Sequence, residues 1–311
     1  MGTFFQLVGG ILLLYAGAEL LVRGGSALAL CMGVSPLVVG LTIISFGTSS
    51  PEWVVSFGAA LRGDSAIALG NVMGSNIANI ALVLGLCALI RPIRVERQVV
   101  RREVPIMAVA SLLLCGMLLN GNVGRIEGAF LFVGLLGFIA FSFRTSRSGE
   151  EEPQPKNPTR KASTLAGACL AVLGLALLLP GAHLFVAGTV TVAVRWEISS
   201  FVIGLTLVAI GTSLPELATA LVAAARGKGD LVLGTVVGSN IFNILGILGL
   251  TALVFGVDGG GISRLDLGMM IAVTLVSLPI MRTGFVVSRW EGLFLLGSYG
   301  VYLYYRVVVG G

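Results

Sequence analysis

The chain is short of charge. Lys, Arg, Asp and Glu make up 11% of its 311 residues, against roughly a quarter in a soluble globular domain. That shortage, with 56% hydrophobic residues and a mean hydropathy of +1.00, excludes an ordinary soluble protein and leaves a polytopic helical membrane protein. The basic residues are scattered and the net charge is only +5, which argues against a nucleic-acid partner. There is one histidine, His183, and four cysteines, Cys31, Cys87, Cys115 and Cys169. None of the cysteines has a metal-site spacing such as Cys-x-x-Cys, and each is expected to be a small buried hydrophobe. No nucleotide-binding loop or nucleophile elbow occurs, so the chain is not expected to be an enzyme, and no cofactor is expected. The N-terminus lacks a basic start and a small-residue cleavage site, and its apolar run continues to Val22. It is therefore expected to stay on the chain rather than leave as a signal peptide. Gln6 stands where a myristoylation pattern needs Ser or Thr.

Long apolar runs are plentiful. They predict an all-α fold of about ten membrane helices, near 4–25, 34–60, 66–90, 104–120, 126–143, 164–187, 199–225, 231–255, 266–282 and 291–306. Each is close to the roughly 20 residues that cross a bilayer. The 44 glycines suit close helix packing. The polar, proline-rich stretch 144–163, with Glu150 to Glu152 and Pro153, Pro155 and Pro158, reads as a cytoplasmic linker between residues 1–143 and 164–311.

Those two parts repeat each other. Residues 40–80 align without a gap on 204–244, at an offset of 164, and 21 of the 41 positions are identical. Gly17-Ala18 maps onto Gly181-Ala182 by the same offset, and Gly24 onto Gly188. Five helices per half is an odd number, so the halves must cross the membrane in opposite senses. That is the inverted-repeat plan of secondary transporters, whose site lies mid-membrane where the halves meet. With the N-terminus outside, 15 basic residues fall on the cytoplasmic side and 5 outside. The positive-inside bias thus predicts a cell (inner) membrane protein with both termini outside.

Each repeat carries Gly-Thr-Ser-x-Pro-Glu, at Gly47 to Glu52 and at Gly211 to Glu216. A proline here breaks a helix and releases the carbonyl four residues back, that of Gly47 or Gly211. A glutamate at membrane depth is costly and marks an ion or substrate path. Helical spacing puts Ser45, Thr48, Ser49, Glu52 and Ser56 on one face, and Ala209, Thr212, Ser213 and Glu216 on the matching one. The following helix of each half carries Gly-Ser-Asn-Ile-x-Asn, with Ser75 and Asn79, or Ser239 and Asn243, four apart. Hydroxyl, amide and carboxylate oxygens are the hard ligands of Na⁺ and Ca²⁺. No Lys or Arg in either half is placed to neutralise its glutamate inside the membrane, so the pair reads as facing a cation.

Other features read as structural. Gly70-x-x-x-Gly74 and Gly234-x-x-x-Gly238 are expected to pack helices. Asn76 and Asn240 are expected to pin neighbouring helices. Glu19 and His183 occupy equivalent positions, and Asp64 and Asp230 lie at helix starts, where the dipole suits an acid.

The doubled motifs resemble the alpha-repeats of sodium/calcium exchangers, in the calcium:cation antiporter superfamily. The resemblance implies an antiporter of prokaryotic type moving Ca²⁺ against Na⁺. By motif position it implies ligand roles for Thr48, Ser49, Glu52, Ser75 and Asn79, and for Thr212, Ser213, Glu216, Ser239 and Asn243. Glu52, Glu216, Thr48 and Thr212 would lie nearest the metal. It also implies backbone carbonyl ligands at Ser45 and Ala209, and gating by sliding of the first and sixth helices. Relatives with an aspartate at Asn79 or Asn243 are associated with a potassium requirement, so asparagine at both positions argues against one. Trp53 departs from the usual aliphatic residue and is expected to alter helix packing or cavity access. The short linker leaves no room for a calcium-sensing domain. A Ca²⁺/H⁺ antiporter on the same scaffold is the alternative, with a cation channel or a membrane scaffold behind it. The expected partners are Na⁺, Ca²⁺ and the bilayer. The oligomeric state is open, and a monomer is compatible with the sequence.

Overall fold

The structure is a computed structural model that describes residues 2–146, 160–195, 209–259 and 263–308. Ten helical segments appear among the described residues. Helix α1 is Gly2–Met32. Helix α2 has two arms, Pro36–Thr48 and Ser50–Leu61, bent by 48°. Helix α3 is Ser65–Ile90, α4 Val104–Leu118, α5 Arg125–Ser146 and α6 Arg160–Arg195. Helix α7 shows arms Ala209–Thr212 and Leu214–Ala225. Helix α8 is Gly229–Phe255, α9 Arg264–Arg282 and α10 Arg289–Val308. Six of these are by themselves long and apolar enough to cross a membrane, and the two arms of α2 together make a seventh. The start of the seventh predicted span (199–208) lies outside the described residues, as does 147–159 of the predicted linker. Helix runs into that linker from both sides, to Ser146 and from Arg160.

The inversion is visible in two short β-pairs. Strands β1 (Ile93–Arg94), β2 (Asn122–Val123), β3 (Val257–Asp258) and β4 (Val286–Val287) pair as β1 with β4 and β2 with β3. The register is Ile93 opposite Val287 and Asn122 opposite Asp258. Adding 164 to Ile93 and Asn122 gives Val257 and Val286, so the offset seen in the motifs carries β1 onto β3 and β2 onto β4. Each pair joins one half to the other. One pair brings the α3–α4 loop to the α9–α10 loop, and the other brings the α4–α5 loop to the α8–α9 loop. Those loops share a side only if the halves run in opposite senses.

Helix α8 is buried without interruption from Leu231 to Gly249, and most of α3 is buried. Both lie at the centre, which explains why their polar residues have to be satisfied by protein. Helices α1 and α6 lie at the periphery, with Phe4, Ile11, Leu12, Leu165 and Val172 facing outward. Glycines recur every seven residues on both, at Gly10, Gly17 and Gly24 and at Gly167, Gly174, Gly181 and Gly188. A Cβ on Gly17 would sit 2.7 Å from the Gly174 carbonyl oxygen, and one on Gly174 would sit 2.7 Å from that of Gly17. Only hydrogen fits, so the two backbones run antiparallel in contact. At 31 residues α1 is about 46 Å long, more than the roughly 30 Å hydrocarbon core spans, so it must tilt or project. None of the four cysteines forms a disulfide. Cys87 is buried, whereas Cys169 faces outward from α6, where lipid suits an apolar thiol as well as a core does.

Candidate cation site

The break in α2 makes the site. Ser49 leaves helical geometry (φ −80°, ψ 9°), and Ser213 does the same in the other half (φ −83°, ψ 7°). Pro51 and Pro215 then open the second arms, where a missing N–H costs nothing. Glu52 and Glu216 fall in the first turn of these arms, at the end of the helix dipole that favours a carboxylate. The sequence predicted a free carbonyl at Gly47. The structure corrects this, because the Ser50 hydroxyl donates to it at 2.7 Å. Leu214 occupies the equivalent position in the second half and has no hydroxyl to offer.

The carboxylates are held crosswise. The Ser49 hydroxyl donates to Glu216 Oε1 at 2.8 Å, and that of Ser213 donates to Glu52 Oε1 at 3.2 Å. Ser239 donates to Glu216 Oε1 at 3.4 Å. The Ser75 hydroxyl lies beside Glu52, and that of Thr48 beside Glu216. Glu52 is 0% and Glu216 1% exposed. The four motif asparagines tie α3 to α8. Asn79 Nδ2 donates to Asn240 Oδ1 at 3.1 Å, and Asn243 Nδ2 donates to Asn76 Oδ1 at 3.2 Å. These bonds map onto each other under the 164 offset. Asn79 begins a π-helical turn, Asn79–Leu84, and Asn243 is the second residue of another, Phe242–Leu248. Such widened turns gather at functional sites.

Several oxygens in this cluster have nothing to bond. Glu52 Oε2, Glu216 Oε2, Ser75 Oγ, Asn79 Oδ1 and Asn243 Oδ1 are buried without a hydrogen-bond partner. An unmet buried polar atom costs about 1–3 kcal/mol, more when charged. Five of them, drawn from both halves, are oxygens of the kind a dehydrated cation would satisfy. Among the described residues no group of three His, Cys, Asp or Glu comes together. The oxygen set is thus two carboxylates plus neutral groups, which suits an ion that must also leave.

Not every candidate points inward. The Ser45 hydroxyl donates to the carbonyls of Gly40 at 2.7 Å and of Gly234 and Thr235 at 3.3 Å, and so fastens α2 to α8. Its own carbonyl accepts from Ser49 N–H at 3.0 Å. Thr48 donates to Ile44 O at 3.1 Å. The side-chain surroundings of Ala209 lie outside the described residues. Trp53 packs edge-on against Phe46, which contacts Phe242, and its indole N–H is buried without a partner. Sequence reasoning passed over Asn71, which bonds Thr212. Its repeat partner is Thr235, so it stood outside every doubled motif.

This fold and site define a membrane transporter of the inverted-repeat class, with two facing five-helix halves and an oxygen-lined centre. The family model for the sodium/calcium exchanger protein matches the chain twice, over residues 2–144 and 166–308. The chain belongs to the sodium/calcium exchanger family. It is similar to the putative antiporter CaxA of Alkalimonas amylolytica, with 40% identity over 98% of both chains. It is also similar to the inner membrane protein YrbG of Escherichia coli (strain K12), with 37% identity over 96% of this chain and 94% of the other. The sodium/calcium exchanger MaX1 of Methanosarcina acetivorans is 32% identical over 97% of each chain. A solved structure of the sodium-calcium exchanger NCX_Mj, soaked with 10 mM Na⁺ and no Ca²⁺, superposes with a TM-score of 0.82. It is 33% identical and covers 96% of this chain and 97% of that one.

Proposed function

We propose that the protein is a secondary-active antiporter that exchanges Na⁺ for Ca²⁺ by alternating access, with the cations bound between Glu52 and Glu216. The observation that carries this reading is the set of five buried, unpartnered oxygens drawn from both halves. Glu52 and Glu216 would be the central ligands. Thr48 and Thr212 would stand next to them, with Ser49, Ser213, Ser75, Ser239, Asn79 and Asn243 around, and the carbonyls of Ser45 and Ala209 at the edges. Two carboxylates balance one Ca²⁺ in charge, and the same oxygens can instead be divided among several Na⁺. The cargoes then compete for ligands, so one leaves before the other binds. Competition of this kind makes the transport an exchange. The cations are cargo, and no resident cofactor enters the scheme.

The proposed division is a first repeat over 1–143, a cytoplasmic linker over 144–163 and a second repeat over 164–311. One chain then supplies a complete site. We place the protein in the inner membrane with both termini outside, in keeping with the basic bias of the loops and with the name of the E. coli relative, an inner membrane protein.

The test is Ca²⁺ uptake into proteoliposomes against an opposed Na⁺ gradient. Glu52→Gln and Glu216→Gln should each abolish it, because removing one charged partner from a buried cluster costs roughly 3 kcal/mol or more, about 100-fold in affinity. Full uptake by both variants would remove the site assignment. Uptake driven by a pH gradient in Na⁺-free buffer would make the proton the coupling ion. Currents beyond any carrier turnover would make the protein a channel.

A further inference from the structure

A buried asparagine of α3 reaches the central threonine of the opposite half. Thr48 donates its hydroxyl proton within its own helix, to Ile44 O. Thr212 donates at 3.2 Å to Asn71 Oδ1, on α3 of the opposite half. Asn71 is 6% exposed, and its amide is engaged on both sides. Its Nδ2 donates to the backbone carbonyl of Glu52 at 3.1 Å and to Ser56 Oγ at 2.9 Å. Ser56 in turn donates to Ala68 O at 3.3 Å. Among the described residues no equivalent bond is made in the second half. The 164 offset puts Thr235 opposite Asn71 and Ala220 opposite Ser56, and the Thr235 hydroxyl is buried without a partner.

We propose that Asn71 is a positioning residue for ion binding, orienting the Thr212 hydroxyl toward the cation and locking it to the Glu52 segment. A hydroxyl has one proton and two lone pairs. When Asn71 Oδ1 takes the proton, the lone pairs of Thr212 turn away from it and are presented to an ion. Asn71 Nδ2 anchors that acceptor on the Glu52 carbonyl, so the threonine of one half is set in place by the glutamate segment of the other. The two ends of the site are therefore built unequally, although their motifs are identical. This inference rests on Thr212 being a cation ligand, as proposed above.

The experiment measures Ca²⁺ KM and Vmax in proteoliposomes of the full chain. It compares Asn71→Ala, Thr212→Val and Thr48→Val with the double variants Asn71→Ala/Thr212→Val and Asn71→Ala/Thr48→Val. Asn71→Ala should raise KM about fivefold, the factor one ordinary hydrogen bond is worth, with a smaller change in Vmax. Added to Thr212→Val it should raise KM by clearly less than fivefold, because the hydroxyl it orients is gone and only its bonds to the Glu52 carbonyl and Ser56 remain to be lost. Added to Thr48→Val, which Asn71 does not touch, its effect should multiply. Asn71→Thr, which copies the other half, keeps an acceptor for Thr212 and should fall between wild type and Asn71→Ala. It serves as the test variant if the alanine variant does not fold. An unchanged KM in Asn71→Ala, or a multiplied effect with Thr212→Val, would overturn the proposal while leaving the site intact. An unchanged KM in Thr212→Val would instead remove Thr212 from the site and the proposal with it.

Discussion

At the scale of residues, the centre of this protein is a set of hydroxyls whose protons point somewhere definite. Ser49 and Ser213 each give a proton to the glutamate of the opposite half, at 2.8 and 3.2 Å. A hydrogen bond to a charged acceptor is worth about 1.5–3 kcal/mol, so Ser49→Ala and Ser213→Ala should each weaken Ca²⁺ affinity by roughly tenfold or more. Symmetry adds a sharper expectation, that the two losses agree within a few-fold. Isothermal titration with Ca²⁺ would measure both, and a large effect in one with none in the other would mean that only one half binds. The glutamates and their serines were legible in the sequence, because both motifs occur twice. Asn71 was not, since its role depends on a through-space contact with Thr212, 141 positions away. The Gly47 carbonyl was misread for a related reason. The proline rule foretells that a carbonyl loses its partner, but not that the hydroxyl of Ser50 replaces it.

At the scale of elements, the contact between α1 and α6 depends on glycines. Gly17→Val would push a branched side chain into the backbone of α6, where even a Cβ meets the Gly174 oxygen at 2.7 Å. Overpacking of this kind costs about 1–3 kcal/mol. The expected outcome is a lower thermal midpoint in detergent, with transport reduced more than Ca²⁺ binding, because the glutamates lie elsewhere. A second element is the α2–α8 contact, where a Cβ on Gly234 would sit 2.7 Å from Leu37 O and 2.8 Å from the Gly40 Cα. Gly234→Leu should therefore weaken ion binding itself, as this contact carries Ser45 and the first arm of α2. Binding that survived unchanged would separate the packing of this contact from the site. The sequence suggested packing for this Gly-x-x-x-Gly motif. It did not say which helix approaches, since a glycine pattern has no partner written into it.

At the scale of the whole molecule, inversion relates two halves that are not latched alike. Glu19 on α1 pairs with Arg23 and with Arg226 in the α7–α8 turn, and Lys228 donates to Ser26 at 2.6 Å. The inverted counterpart would join His183 on α6 to the turn at Arg62 to Asp64. Among the described residues no ion pair does so. Burial and the neighbouring Arg226 hold the Lys228 ammonium below the usual lysine range, in keeping with a crowded contact. Exposed pairs of this kind contribute only about 0–1 kcal/mol each to stability. Glu19→Gln is therefore expected to leave the thermal midpoint nearly unchanged while speeding amide exchange over residues 224–230. Unaltered exchange there would mean the contact is incidental.

What the sequence determined by itself was the membrane, the helices, the repeat and its inversion. These follow from hydropathy, from an odd helix count and from one constant offset, all of which can be read along the chain without knowing what touches what. It also singled out Glu52 and Glu216, because a carboxylate is too expensive in lipid to be placed without use. Tertiary structure alone decided which half grips which carboxylate, that Ser45 serves a helix contact with its hydroxyl, and that Asn71 reaches Thr212. Hydrogen-bond direction is settled by groups that meet across the centre from distant parts of the chain, and a proton's destination is not encoded in the identity of the residue that holds it.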